Sequence, residues 1–167
     1  MSDDDFVRDV YNASYRRLVG QLVGVTGSRV EAEEVVQEAF VRAIDHVRTF
    51  RHTDNPEAWL RRVAVNQARS RWRRLKHWSR LSPVLSDPER YDDLRPDHVA
   101  LVDALRKLPV AQREAIALHY IADLPVHEVA AAVGAPTGTV KARLSRGRAA
   151  LAVLLNDDDH SSEARHA

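Results

Sequence analysis

The 167-residue chain contains no cysteine, which removes disulfides, thiolate metal sites and thiol nucleophiles together. That absence suits a reducing compartment, and a cytoplasmic location is expected. No stretch is long or apolar enough to span a membrane. The N-terminus "MSDDDFVRDV" is acidic where a secretory signal would be basic and then apolar. The 8 histidines show no paired metal spacing. His127 and Glu128 begin something like a zinc-protease signature, but the fourth residue after His127 is Ala131, so the second ligand is missing. "GAPTG" lacks the Lys and Ser or Thr that complete a phosphate loop. No catalytic residue, metal site or cofactor is assigned, and the chain is expected not to be an enzyme.

Gly and Pro are scarce, at 6 and 7 residues, and apolar residues recur at helical rather than alternating spacing. The expected fold is all-α, without strands. A first helix is predicted from about Phe6 to Val25, with Val7, Val10, Tyr11, Leu18, Leu22 and Val25 on one side. A second runs from Ser28 or Arg29 to Val47. The loop "FRHTDNP" then leads to Pro56, near the start of a third helix, where a missing N–H costs nothing. "LSPVLSDPERYDDLRPDH" carries three prolines and no period, as a linker does. Periodicity returns at "VALVDALRKLP" and continues to about Leu155. Two small helical domains are expected, 6–80 and 98–155, joined by a flexible linker at 81–97 and followed by a disordered tail at 156–167.

The net charge is only +1, yet the charge is segregated. From Ala58 to Ser86 there is no Asp or Glu, while Arg61, Arg62, Arg69, Arg71, Arg73, Arg74, Lys76 and Arg80 fall inside. On a helical wheel Leu60, Val63, Ala64, Ala68, Trp72 and Leu75 gather on one side, and Arg62, Asn66, Arg69, Arg73 and Lys76 on the other. Arg71 falls on the apolar side. A basic stripe opposite an apolar one is the footprint of a phosphate backbone. Trp72 and Trp78 offer stacking surfaces for unpaired bases. A solvated helix face would ordinarily interleave acids, because Glu to Lys or Arg pairs four apart stabilise a helix and like charges repel.

The preceding helix has the opposite sign. In "EAEEVVQEAFVRAIDHV", Val35, Val36, Ala39, Phe40, Ala43, Ile44 and Val47 form the apolar stripe. Glu31, Glu34, Glu38 and Asp45 lie opposite, with Gln37, Val41 and Arg42 among them. Such a face suits a basic partner helix, or is ordinary surface charge with Glu38 and Arg42 paired internally.

"LPVHEVAAAVGAPTGTVKARLSRGRAAL" has the form of a helix-turn-helix. Val126, Val129, Ala130 and Val133 make a short apolar face, and Gly134 ends it where positive φ is needed. Pro136 and Thr137 begin the next helix, whose Val140, Leu144, Leu151 and Leu155 point inward. Thr139, Ala142, Ser145, Arg146 and Ala149 face out, with Lys141 and Arg148 on one flank and Arg143 on the other. Small residues permit close approach to a major groove, Arg146 can read a base edge, and flanking cations hold phosphates.

Three segments, "EAEEVVQEAF", "NPEAWLRRVAVNQARSRWRR" and "LPVAQREAIALHYIADLPVHEVAAAVGAPTGTVKARLSRGRAAL", stand in this order over about residues 6–155. Together they resemble the small two-domain sigma factors of bacterial RNA polymerase, the extracytoplasmic-function group of the sigma-70 family. The resemblance implies a sigma region 2 bundle and a sigma region 4 helix-turn-helix. It implies that Glu34, Gln37, Glu38 and Val41 dock on the clamp helices of the largest subunit of core RNA polymerase, with the flap as a second contact. It implies that the arginine helix, with Arg62, Asn66, Arg69, Trp72 and Arg73, opens and reads the minus-ten promoter element, Asn66 receiving an extruded base beside the loop Phe50 to Asn55. Lys141, Ser145, Arg146 and Arg148 match positions that read the minus-thirty-five element as duplex; Thr139 and Arg143, from the wheel, join that set. The linker acids Asp87, Glu89, Asp92 and Asp93 would then mimic nucleic acid inside the polymerase. The resemblance leaves open an anti-sigma factor as a further partner.

Three positions depart from the family pattern. Ala142 stands where Ser or Thr is usual, Pro125 replaces a capping Ser, and Glu34 replaces an Asp. The competing reading is a stand-alone helix-turn-helix regulator of duplex DNA, which leaves "EAEEVVQEAF" and the arginine helix unexplained.

Overall fold

The computed structural model describes residues 1–81 and 96–166, and side chains within 1–78, 99–157 and 160–161. The described residues contain no strand. The helices are α1 (Asp3–Thr26), α2 (Arg29–Asp45), α3 (Val47–Arg51), α4 (Pro56–Leu81), α5 (Pro96–Arg106), α6 (Val110–Ile116), α7 (Val126–Val133) and α8 (Thr137–His166). A π-helical turn, Ala117–Ile121, continues α6.

Local chemistry sets the ends of the first helices. The acidic N-terminus is a capping box: Ser2 Oγ accepts from the Asp5 N–H at 3.1 Å, and the Asp5 carboxylate accepts from the Ser2 N–H at 3.3 Å. Asp3, Asp4 and Asp5 also place negative charge on the positive end of the helix dipole. Gly27 ends α1 at φ 86°, and Ser28 Oγ accepts from the Glu31 N–H at 3.2 Å to open α2. Asn55 Oδ1 accepts from the Ala58 N–H at 3.0 Å just ahead of Pro56 and α4.

Helices α1 to α4 form a first bundle around Leu18, Leu22, Val35, Val36, Phe40, Phe50, Leu60 and Val65, all buried. Two expectations are corrected here. The segment at Phe50 is not simply a loop: α3 turns Phe50 into the core, where its ring lies 5.6 Å from Phe6 and 5.0 Å from Trp59. Ile44 was placed in the buried stripe but is 56% exposed, because α2 ends at Asp45 and the chain breaks direction at His46.

Helices α5 to α8 form a second bundle around Leu105, Leu118, Val129, Val140 and Leu144. Gly147 lets α8 close on α6; a Cβ there would lie 2.7 Å from Ile116 Cγ1. The disordered tail expected at 156–167 is instead the last part of α8, which continues to His166. No Gly or Pro follows Gly147, and each added residue of a nucleated helix gains a backbone bond. Ser161 Oγ donates to the Asp157 carbonyl at 2.5 Å within that extension. The linker acids Asp87, Glu89, Asp92 and Asp93 lie outside the described residues.

The buried residues of the two bundles join in one continuous apolar cluster. Gly24 on α1 marks the closest approach, since a Cβ there would meet Ile121 Cδ1 at 2.8 Å and Ala117 Cβ at 2.9 Å.

Truncating the fully buried Phe50 removes the centre of the first bundle. Phe50→Ala is expected to cost about 3–5 kcal/mol in urea unfolding, with loss of the near-ultraviolet signal from Trp59.

Candidate nucleic-acid interface

On α2, Gln37 and Val41 are exposed, Glu34 keeps 48% of its side chain in solvent and Glu38 41%. Gln37 Nε2 donates to the Tyr15 hydroxyl at 3.2 Å. Val41 and Ile44, each 56% exposed, add an apolar pair one turn further along. Ile44 was missed as a surface residue because the wheel assumed that α2 stays covered to its end.

The acidic face carries its own cation. Arg71 Nη1 donates to Glu34, and Nη2 donates to Glu38 Oε1 at 3.0 Å. Burial works against its charge, but the bonds to Glu38 and Glu34 outweigh it and raise the guanidinium pKa. Arg71 therefore sits on the apolar side of the α4 wheel because its charge is used against α2. On the alternative of ordinary surface charge Glu38 would pair with Arg42; the observed partner is Arg71.

The basic stripe of α4 divides. Arg62, Asn66 and Arg73 are exposed, as are Arg74 and Lys76. Arg61 turns the other way: it is 6% exposed and its Nε donates to Gln21 Oε1 at 2.9 Å, and burial pulls its pKa down. Arg69 is corrected from an outward to an inward position. Its Nε donates to Glu114 Oε1 at 2.8 Å, and its Nη2 to Glu114 Oε2 at 2.6 Å and to the Val133 carbonyl at 2.9 Å. Glu114 keeps only 2% of its side chain in solvent, and its bonds raise the Arg69 pKa. Trp72, placed on the apolar stripe, is 38% exposed, with the Arg113 guanidinium 4.7 Å from its ring centroid. Leu75 and Trp78 are more open, at 48% and 64%.

In the second bundle Pro125 precedes α7 without a side-chain cap. Gly134 ends α7 at φ 69° and ψ 40°, its N–H donating to the Ala130 carbonyl at 2.9 Å. Then α8 presents Thr139, Lys141, Ser145, Arg146 and Arg148 to solvent, over a face held by buried Val140 and Leu144. Ala142 is half-buried. Arg143, also half-buried, lines a cleft between the bundles with Arg69, Trp72, Arg73 and Glu114. Tyr120, on the π-helical turn, is a neighbour that the sequence pattern did not flag: its hydroxyl accepts from Arg148 Nη1 at 2.8 Å.

The fold thus gathers Glu34, Gln37, Glu38 and Val41 on one face and Thr139, Lys141, Ser145, Arg146 and Arg148 on another. It leaves Arg62 and Asn66 open on α4 and brings Arg69, Trp72, Arg143 and the exposed Arg73 together along the cleft. Among the described residues no group of three or more His, Asp or Glu could hold a metal ion, and no helix is long and apolar enough to cross a membrane.

Residues 10–78 match the family model of sigma-70 region 2, and residues 98–151 that of sigma-70, region 4. The chain is similar to the ECF RNA polymerase sigma factor SigW of Bacillus subtilis, with 32% identity over 92% of this chain and 87% of that one. It is 30% identical to the ECF RNA polymerase sigma factor EcfG of Rhodopseudomonas palustris, again over 92% of this chain and 87% of the relative. The fold resembles the sigma factor RpoE of Bartonella quintana, solved in complex with the anti-sigma factor NepR. That likeness has a TM-score of 0.70 at 28% identity and covers 91% of this chain and 97% of the other.

The turn of the helix-turn-helix depends on the left-handed backbone of Gly134. Gly134→Val is expected to destabilise the fold by about 1–2 kcal/mol, read as a lowered thermal midpoint, with Gly134→Asn closer to wild type.

Proposed function

Because this chain belongs to the extracytoplasmic-function sigma factors of the sigma-70 family, which serve promoter recognition and transcription initiation, we propose the following division of labour among its residues. Core RNA polymerase is bound through Glu34, Gln37, Glu38 and Val41 of α2, with Ile44 extending the apolar part. Duplex at the minus-thirty-five element is held by Thr139, Lys141, Arg143, Ser145, Arg146 and Arg148. Arg62, Asn66, Arg69, Trp72 and Arg73 hold the melted minus-ten segment.

The physical logic assigns different work to each face. Exposed carboxylates beside Val41 and Ile44 suit a helix pair bearing cations, since complementary charge guides encounter and apolar contact holds the complex. Cations flanking Arg146 fix the register on phosphates while Arg146 reads a base edge. Extruding a base costs a few kcal/mol, offset by capture beside Asn66, stacking on an aromatic ring and phosphate contacts from α4. Sigma factors are not enzymes in general, and here the bond-making chemistry stays with the polymerase. The chain works where the polymerase does, in the cytoplasm, and an anti-sigma factor is a further partner of this reading.

The observation that carries it is the occurrence of both matched regions in one chain, in order. A stand-alone regulator of duplex DNA accounts for the second region only.

Run-off transcription with purified core polymerase on genomic promoter fragments tests the assignment. Wild type is expected to start transcripts at defined positions, and Glu34→Lys with Glu38→Lys to abolish this by loss of core binding. Arg146→Ala is expected to weaken promoter use by about 1–3 kcal/mol, roughly 5- to 150-fold. Absence of any core-dependent transcript, with duplex bound by the chain alone, would establish the stand-alone regulator instead.

A further inference from the structure

Of the three cations that α8 shows to solvent on its outer face, Lys141, Arg146 and Arg148, only Arg148 is held by another side chain among the described residues. Its Nη1 donates to the Tyr120 hydroxyl at 2.8 Å. Tyr120 lies outside the helix-turn-helix, on the π-helical turn ahead of α7.

That turn presents the tyrosine through an irregular but well-bonded backbone. The Ala122 N–H donates to the Ala117 carbonyl at 2.9 Å, five residues back, and single turns of this kind inside α-helices are frequent at functional sites. Asp123 then adopts a left-handed φ of 57°, and the Leu124 N–H closes on the Leu118 carbonyl at 3.0 Å. His119 Nδ1 lies 2.8 Å from the Leu124 carbonyl. A carbonyl only accepts, so this nitrogen carries the proton. The imidazole so fixed meets the Tyr120 ring edge-on, with centroids 4.8 Å apart and planes at 75°. Tyr120 is still 52% exposed. Its ring is braced from one side, and its hydroxyl reaches the exposed flank of α8.

The bond has the chemistry of a support for a phosphate-binding cation. A phenol is neutral, so it orients the guanidinium without cancelling its charge. Arg71 shows the contrast, its charge being matched by Glu34 and Glu38. The bond to Tyr120 uses one of the five N–H donors of Arg148 and leaves the rest for phosphate oxygens. A long side chain gives up rotamer freedom when it is immobilised at an interface, and one already held gives up less.

We propose that Tyr120 is a positioning residue for duplex DNA, holding Arg148 in the orientation in which it takes a backbone phosphate beside the bases read by Arg146. The proposal rests on the assignment of Arg146 and Arg148 to duplex. Separate variants distinguish its failure from failure of that assignment.

The test is binding of the full chain to a short, dye-labelled duplex of mixed sequence, followed by fluorescence anisotropy from low to high salt. Phosphate contacts act on any sequence, so no promoter need be known. Arg148→Ala is expected to weaken binding and to lower the slope of log affinity against log salt by about one. Tyr120→Phe keeps the ring and its contact with His119 and removes only the hydroxyl. It should weaken binding about 2- to 10-fold with the salt slope and the thermal midpoint unchanged, since no charge and no packing is lost. In the Arg148→Ala background the same substitution should cost almost nothing, because the residue it positions is gone.

Tyr120→Phe binding as tightly as wild type would overturn the positioning role and leave the duplex assignment standing, provided Arg146→Ala and Arg148→Ala each weaken binding. An equal loss from Tyr120→Phe with and without Arg148 would overturn it too, by showing that the hydroxyl acts on DNA independently. A wild type that binds no duplex at low salt, or binding indifferent to both Arg146→Ala and Arg148→Ala, would remove the duplex assignment and the proposal with it.

Discussion

Glu114, removed from water, is held by Arg69 through two N–H···O bonds. That pair connects the long basic helix of one bundle to the second helix of the other, and around it the apolar surfaces of both meet. Breaking a buried pair by losing one member costs far more than the pair's net worth, because the remaining charge is stranded. Gly24 matters for the same junction: only because it has no side chain can α1 come within reach of Ala117 and Ile121.

The small net charge of +1 is the sum of separated surfaces, some of them matched within the fold. Arg71 crosses from α4 to Glu34 and Glu38, and Arg17 forks onto Glu57 with bonds of 2.6 and 2.8 Å. The Arg71 pairs are partly exposed and contribute little stability, at most about 1 kcal/mol each. Arg62, Arg73 and the outer face of α8 are left in solvent, where their charge can act at a distance.

Much of the fold was legible because helices announce themselves locally. Ser28, Pro56 and Gly134 mark helix ends by their own backbone and side-chain chemistry, and Leu18, Val36, Leu60, Val140 and Leu144 keep a period that only a helix satisfies. The small face of α8 was legible for the same reason. What a wheel could not show was which neighbour a given face meets. Arg69 and Arg71 differ in fate because Glu114 and Glu34 lie 45 and 37 residues away, a relation no local pattern encodes. The short helix at Phe50 and the exposure of Ile44 depend on where α2 stops against the rest of the bundle. The helical end of α8 was hidden by composition: polar residues without apolar period resemble a disordered tail, yet nothing in them interrupts a helix already begun.

Strand opening is the property that separates a sigma factor from any binder of duplex DNA. Permanganate oxidation of unpaired thymines on a supercoiled promoter reads it directly, with core polymerase and the chain present separately and together. The account predicts reactive thymines just upstream of the start site only when both are present. Protection of duplex by the chain alone, with no thymine becoming reactive when polymerase is added, would contradict it.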